Sequence, residues 1–348
     1  MQHWLDILQQ DLKQHDRVVL VTVAYIRGST PREAGAHMVV SANGISGTIG
    51  GGNLEFKAID QARELLRDND HAVLYQDYPL GPALGQCCGG VASLIFETVT
   101  SDMSWVSDNA TEGFVSVLAL NGSMGRIVYA PDQQQVDVLI PASVKKQIVE
   151  MTETTLLLEN EGYFIEKVTD YRIPLYIYGA GHVAHALVPM LAQLPFNITW
   201  VDNRADIFKS ATGGVETLIV SRPEEVPKIA KNNAFHLVMT HDHGIDLEIT
   251  HAVLQEDRFG YLGLIGSDTK RVRFERRLRA RGIDHDHLDR MICPIGIPEI
   301  TGKSPGEVAL SVAAELTILH QEMVANTKNL SGLRLMEGIG REKHEQCR

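Results

Sequence analysis

Apolar residues recur along the chain in two alternating periods, and the switches between them outline the elements. Trp4, Leu5, Leu8 and Leu12 fall at helical spacing and predict an opening amphipathic helix. Val18 to Ile26 is a β-branched run, the mark of a buried strand, and Gly28-Ser29-Thr30-Pro31-Arg32 ends it. His37–Val40 and Ile45–Ile49 flank Asn43-Gly44, a strong hairpin signal. Gly50-Gly51-Gly52-Asn53 then leads into a helix predicted over Leu54–Arg67, with Asn53 as its N-cap. Strands follow at Ala72–Tyr78 and Val91–Val99, separated by Leu84-Gly85-Gln86-Cys87-Cys88-Gly89-Gly90. Residues 1–100 thus read as a compact α+β domain.

Residues 101–170 read as a linker, polar from Ser101 to Glu112, and a small β-rich middle segment. Asn121-Gly122 marks a second hairpin between Phe114–Leu120 and Arg126–Ala130, and a helix is expected from Ala142 to Met151. This segment shows no obvious chemistry. From residue 171 to about 330, strands at Leu175–Tyr178, Ile198–Val201, Thr217–Val220, Phe235–Met239 and Tyr261–Ile265 are expected to alternate with helices. That alternation predicts a Rossmann-type, doubly wound parallel sheet, so the fold class is α/β with an α+β domain in front. Ser304-Pro305-Gly306-Glu307 is a capping box opening a long closing helix. Residues 331–348 read as a polar tail.

Composition narrows the class. The 348 residues include 32 Lys+Arg against 44 Asp+Glu, a formal net charge of −12. An acidic chain is a poor general nucleic-acid binder, because phosphate binding leans on basic residues. No apolar run is long enough for a transmembrane helix, and the first residues lack a signal-peptide pattern. The four cysteines, Cys87, Cys88, Cys293 and Cys347, form no disulfide framework or zinc spacing, so a reducing cytoplasm is expected.

Several motifs bear chemistry. Gly179-Ala180-Gly181-His182-Val183-Ala184 follows a strand, opens a helix and fits the G-x-G-x-x-A dinucleotide fingerprint. Asp202 ends the next predicted strand, where a ribose-binding carboxylate belongs, and makes the cleft a candidate for a nucleotide. Gly50-Gly51-Gly52-Asn53 is either a tight turn or a place where backbone N–H groups converge on an anion. The hydroxyls and guanidinium of Ser29, Thr30 and Arg32 favour the anion. Cys87 and Cys88 point to opposite faces if extended, so one thiol can face a pocket while the other packs, with Gln86 as a neighbouring donor. Thr240-His241-Asp242-His243 with Asp246 suits a metal or an ordinary polar loop in which Asp246 caps the next helix. The loop is preferred, because no third spaced ligand is evident. Ser267 starts a helix carrying Lys270, Arg271, Arg273, Arg276, Arg277, Arg279 and Arg281, opposed locally only by Asp268 and Glu275. Lys270 and Arg271 lie in its first turns, where a nearby anion would offset the macrodipole; the bland alternative is a solvated charged face.

Together these motifs resemble the xanthine dehydrogenase accessory factor family (XdhC/CoxI). The resemblance rests on Gly28–Arg32, Gly47-Thr48-Ile49-Gly50-Gly51-Gly52 with Glu55, and Gln86-Cys87-Cys88-Gly89-Gly90 in the first part. Gly179–Ala184, Thr240–His243, Ile265-Gly266-Ser267 and Cys293-Pro294-Ile295-Gly296 carry it in the second. It implies a homodimeric cytoplasmic chaperone, without turnover of its own, that binds molybdenum cofactor (molybdopterin). Such a factor shields the cofactor while a cysteine desulfurase or other sulfurase installs a terminal sulfide, and delivers it to an apo molybdenum hydroxylase such as xanthine dehydrogenase. The residues expected to hold the cofactor are Arg32, Gly50, Gly51, Gly52, Asn53, Gln86, Cys87, Cys88, Gly179, Gly181, Ser267, Lys270 and Arg271, with Cys87 closest to the molybdenum. The rival expectation is an NAD(P)-dependent oxidoreductase in which Gly179, Gly181 and Asp202 hold the nucleotide.

Overall fold

A computed structural model describes residues 4–68, 73–81, 89–107, 114–122, 125–129, 140–151, 153–168, 172–208 and 214–324. Gln86, Cys87, Cys88 and the tail lie outside the described residues. The chain divides into two compact units, His3–Asp170 and Tyr171–Arg348. No helix among the described residues is long and apolar enough to cross a membrane.

The first unit opens with α1 (Trp4–Leu12) and β1 (Arg17–Arg27), followed by β2 (His37–Val40) and β3 (Ile45–Gly47), paired as the Asn43-Gly44 turn predicts. Next come α2 (Gly52–Arg67), β4 (Val73–Pro79) and β5 (Val91–Thr100). The sheet is antiparallel, in the order β3-β2-β1-β5-β4. β1 is apolar on both sides because both faces are covered. Val19, Val21 and Val23 pack with Leu54, Ala58 and Ala62 of α2, whereas Val18 and Leu20 pack with Leu5, Leu8 and Leu12 of α1.

The same unit contains a second sheet. Its strands β6 (Phe114–Ala119), β7 (Ile127–Tyr129), β8 (Thr155–Leu158) and β9 (Tyr163–Val168) run in the order β7-β6-β9-β8, and α4 (Ala142–Glu150) covers it through Val144 and Ile148. The expected polar linker instead holds a one-turn helix, α3 (Ser104–Ser107), whose Trp105 and Val106 are buried against α1. Two apolar side chains in a polar stretch suffice to dock it.

In the second unit six parallel strands form one sheet: β10 (Ile173–Tyr178), β11 (Phe196–Asp202), β12 (Glu216–Ile219), β13 (Ala234–Val238), β14 (Phe259–Leu264) and β15 (Met291–Ile292). Their order, β12-β11-β10-β13-β14-β15, is the Rossmann order, with its switch point between β10 and β13. α5 (His182–Leu191) and α9 (residues 305–324) pack one face. α6 (His243–Glu256) and α7 (Asp268–Arg279) pack the other, and α8 (His285–Asp289) precedes β15. The expectation of a helix between each pair of strands is corrected at two places. Among the described residues, 3-10 turns, Ala205–Phe208 and Pro223–Ile229, lie between β11 and β12 and between β12 and β13. Pro227, without an N–H and inside the second turn, cannot sustain an α-helix there.

Candidate functional site

In the first unit, three motif loops meet at one edge of the β3-β2-β1-β5-β4 sheet. Gly28 has φ +75°, and a Cβ there would lie 3.2 Å from the Cα of Gly90. A Cβ on Gly90 would run into the carbonyl of Ser29, and one on Gly50 would lie 2.5 Å from Pro31 and 3.1 Å from the Arg32 side chain. Glycine is required at 28 and 90 because backbones touch, and at 50 because the Pro31 and Arg32 side chains fill the space. The loop after β1, the loop before α2 and the Gly89-Gly90 pause before β5 therefore form one surface, with a groove along Pro31–Ala36. Arg32 is half-buried on it, and its guanidinium forms no ion pair among the described residues. Thr30 donates from its hydroxyl to the Arg32 carbonyl at 3.0 Å, fixing the loop.

The glycine run itself is corrected in two respects. α2 begins at Gly52 with Gly51 as N-cap and no side-chain cap, so Asn53 is inside the helix rather than its cap. The N–H groups of Ile49 and Gly51 both donate to Glu55 Oε2 at 3.0 Å, and Gly50 N–H donates to Thr48 Oγ1 at 3.1 Å. The convergence of donors expected from three glycines is real for part of the loop, but this chain's own carboxylate fills it. Glu55 enters helix position and loop at once because it lies one turn past the glycines, on the face turned back toward them.

In the second unit the carboxyl ends of β10, β11 and β13 frame a crevice lined by Gly179, Asp202, Asn203, Pro223, Thr240 and Ile245. Gly179 has φ +100°, and a Cβ there would lie 2.6 Å from the Met239 carbonyl and 2.7 Å from the Thr240 Cα. Gly181 is the N-cap of α5, has an ordinary φ of −83°, makes no side-chain cap and faces open space. Asp202 is buried. Burial alone would push its carboxyl up, but hydrogen bonds from the Arg204 side chain and from the Ala180 and Arg204 N–H groups hold it below its ordinary value.

Beside this crevice lies a buried brace. Asp246 is fully buried and accepts from Thr240 N–H at 3.0 Å, from Thr240 Oγ1 at 2.7 Å and from Lys270 Nζ at 2.7 Å. Lys270 also donates to the Ile265 carbonyl at 2.6 Å. Asp246 therefore does not cap α6; Asp242 does, accepting from Gly244 and Ile245 N–H. The Lys270 ammonium is committed to joining the β13 and β14 loops, rather than turned toward an external anion. Arg271 pairs with Glu275 of the same helix at 2.8 Å, and Arg281, just past the end of α7, pairs with Glu248 of α6 at 2.7 Å. The Ser267 hydroxyl caps α7 on Lys270 N–H. Cys293 follows β15 and is buried, its Sγ 3.8 Å from the Ser267 carbonyl; burial first of all pushes this thiol up, against the pull of Lys270 and Arg271. Among the described residues no cluster of three or more His, Cys, Asp or Glu could hold a metal ion.

The XdhC Rossmann domain matches residues 175–316, and the XdhC and CoxI family matches residues 11–77. The chain belongs to the XdhC and CoxI family. The matched segments contain the crevice and the first two of the three converging loops. This XdhC-family chain is 26% identical over 307 residues to the uncharacterized protein YqeB of Escherichia coli K12, covering 83% of this chain but only 41% of that relative's length. It is 25% identical over 345 residues to a probable xanthine dehydrogenase subunit of Bacillus subtilis 168, covering 90% of this chain and 95% of that protein. A crystal structure of a xanthine dehydrogenase from Bacillus halodurans superimposes with a TM-score of 0.67 at 21% identity, over 92% of this chain and 96% of that one, a likeness of fold.

The motifs therefore separate into two groups, one on each unit. Three residues that matter to these surfaces escaped the sequence: Glu55 as internal anion, Arg204 on the Asp202 carboxylate, and Asp246 as the partner of Lys270. Only Arg204 left a local trace, a cation two positions after the carboxylate that ends β11.

Proposed function

We propose that this chain is an accessory factor in the maturation of a xanthine dehydrogenase-type molybdenum hydroxylase. It binds molybdenum cofactor on the first unit, protects it while a sulfurase exchanges an oxo ligand for sulfide, and hands it to the apo-enzyme. The observation that carries this proposal is the meeting of three motif loops, around Gly28, Gly50 and Gly90, the first two within the matched family segment, on one edge of the first sheet. The family membership and the name of the Bacillus subtilis relative point the same way.

The residues fit such a cofactor in part. Arg32 offers a guanidinium for an anionic end, the groove along Pro31–Ala36 offers room beside it, and Gly51 and Gly89, with open space where a Cβ would stand, let a flat ring approach backbone. The N–H groups of Ile49, Gly50 and Gly51 do not fit, being satisfied by Glu55 and Thr48. Arg32 would therefore hold the anionic end without help from a helix N-terminus. When bound, the cofactor supplies a dithiolene-held molybdenum centre, toward which a soft thiolate from Cys87 or Cys88 is the natural neighbour.

The test is to purify the full chain from a host that makes the cofactor and to measure molybdenum and pterin together. The wild type should retain both and activate an apo-hydroxylase. Arg32→Ala should lower retention about tenfold, the loss of one charge-assisted contact. Cys87→Ser and Cys88→Ser should differ, one losing molybdenum and the other stability. A wild-type protein carrying neither molybdenum nor pterin overturns the proposal.

A further inference from the structure

The Asp202 carboxylate has its acceptor positions filled. Ala180 N–H and Arg204 Nη2 donate to Oδ2, each at 2.8 Å. Arg204 N–H at 3.0 Å and Arg204 Nε at 2.8 Å donate to Oδ1. A carboxylate offers about four lone-pair sites. None is left for the hydroxyl pair of a ribose, which is what a carboxylate at the end of this strand accepts in NAD-binding sheets. Arg204 itself uses only two of its side-chain N–H groups here, and its side chain is 45% exposed beside Asp202, which lines the crevice. The group facing a ribose at this position is a cation with donors to spare.

The rest of the crevice has the placement and the lining chemistry of a dinucleotide site, although it is narrow as it stands and would have to open around the ligand. It lies at the switch point between β10 and β13, with Pro223 and Ile245 as apolar walls for a base. Gly181 leaves open space over the first turn of α5, where no side chain caps the N–H groups, so a pyrophosphate can approach.

We propose that the second unit binds a dinucleotide bearing a phosphate on its adenosine ribose, of the NADP(H) class, and discriminates against the unphosphorylated NAD(H) form through the Asp202–Arg204 pair. A 2′-phosphate gains charge-assisted hydrogen bonds from Arg204, whereas a free 2′-hydroxyl meets a saturated acceptor. This site is independent of the molybdenum cofactor proposal, and neither result decides the other.

The experiment titrates the full chain with NADPH and with NADH, following nicotinamide fluorescence or heat. NADPH should bind about tenfold more tightly or better. Its affinity should fall more steeply with salt than that of NADH, because it carries more charge. Arg204→Ala removes the cation and returns two acceptor positions to Asp202, the backbone N–H of residue 204 keeping its own, so the preference should vanish or reverse in favour of NADH. Arg204→Lys should keep part of it. NADH binding as tightly as NADPH to the wild type, or no saturation by either below about 1 mM, overturns the proposal. A wild-type preference that survives unchanged in Arg204→Ala also overturns it, since another group would then be reading the phosphate.

Discussion

At the residue scale, two glycines of one fingerprint do different work. Gly179 is held at φ +100° with the Met239 carbonyl where a Cβ would stand, whereas Gly181 has an ordinary φ and nothing near it. Gly179→Ala should cost at least about 2 kcal/mol, from left-handed strain and a backbone clash. Gly181→Ala should stay within about 1 kcal/mol, the scale of an N-cap change. Urea unfolding of both variants checks this, and equal losses would show that the turn relaxes around Gly179. The sequence marks both glycines but does not rank them, because the atoms Gly179 must avoid belong to a loop some sixty residues away. Asn53 is a similar case: its residue type favours an N-cap, yet Gly51 and Glu55 fill that role through contacts set by the preceding turn.

At the element scale, β13 carries a polar residue into the middle of the parallel sheet. His236 is buried, its Nδ1 lies 3.0 Å from the Tyr178 hydroxyl of β10, and its ring stacks near Tyr176 and Tyr178. Burial pushes its imidazole down to about 3. In the unfolded chain it titrates near about 6.5, so between these values the unfolded state binds more protons. The contribution is therefore full above about pH 6.5 and is lost as pH falls toward the folded value. Wild-type stability in urea should decline from about pH 7 to about pH 5, and His236→Phe should flatten that decline. An identical slope in the variant would place the acid sensitivity elsewhere. The strands themselves were legible from their short apolar runs. The 3-10 turn over Pro223–Ile229 was not, although its Pro227 lacks the N–H that an α-helix there would need.

At the scale of the whole molecule, the middle segment turns from featureless sequence into the tie between two sheets. Arg126 is buried, with Nε 2.9 Å from Glu97 on β5, and Nη1 2.7 Å from Ser116 on β6 and 3.4 Å from Glu166 on β9. Glu166 in turn faces His37 of β2 at 3.2 Å, and the guanidinium sits between the Trp4 and Trp105 rings. One cation thus neutralises carboxylates from both sheets of the first unit. Arg126→Ala should cost about 3–5 kcal/mol, because it strands buried carboxylates. Thermal unfolding and limited proteolysis of the full chain should show the first unit opening early. A loss under about 1 kcal/mol would mean that water reaches the cluster and replaces the guanidinium.

The sequence by itself determined the local elements, the α+β and Rossmann character of the two parts, and the motif loops, because periodicity, turn residues and caps act over a few neighbours. The tertiary structure alone decided which charges and N–H groups remain available. Lys270 and Asp246 are 24 residues apart, Ala180 and Asp202 are 22, and Glu97 and Arg126 are 29. The first two pairings convert a candidate ligand-binding group, Lys270 or Asp202, into a satisfied one, and the third ties two sheets. A hydrogen-bonding group is spent or free according to what the folded chain places beside it, and for these groups that neighbour comes from another element.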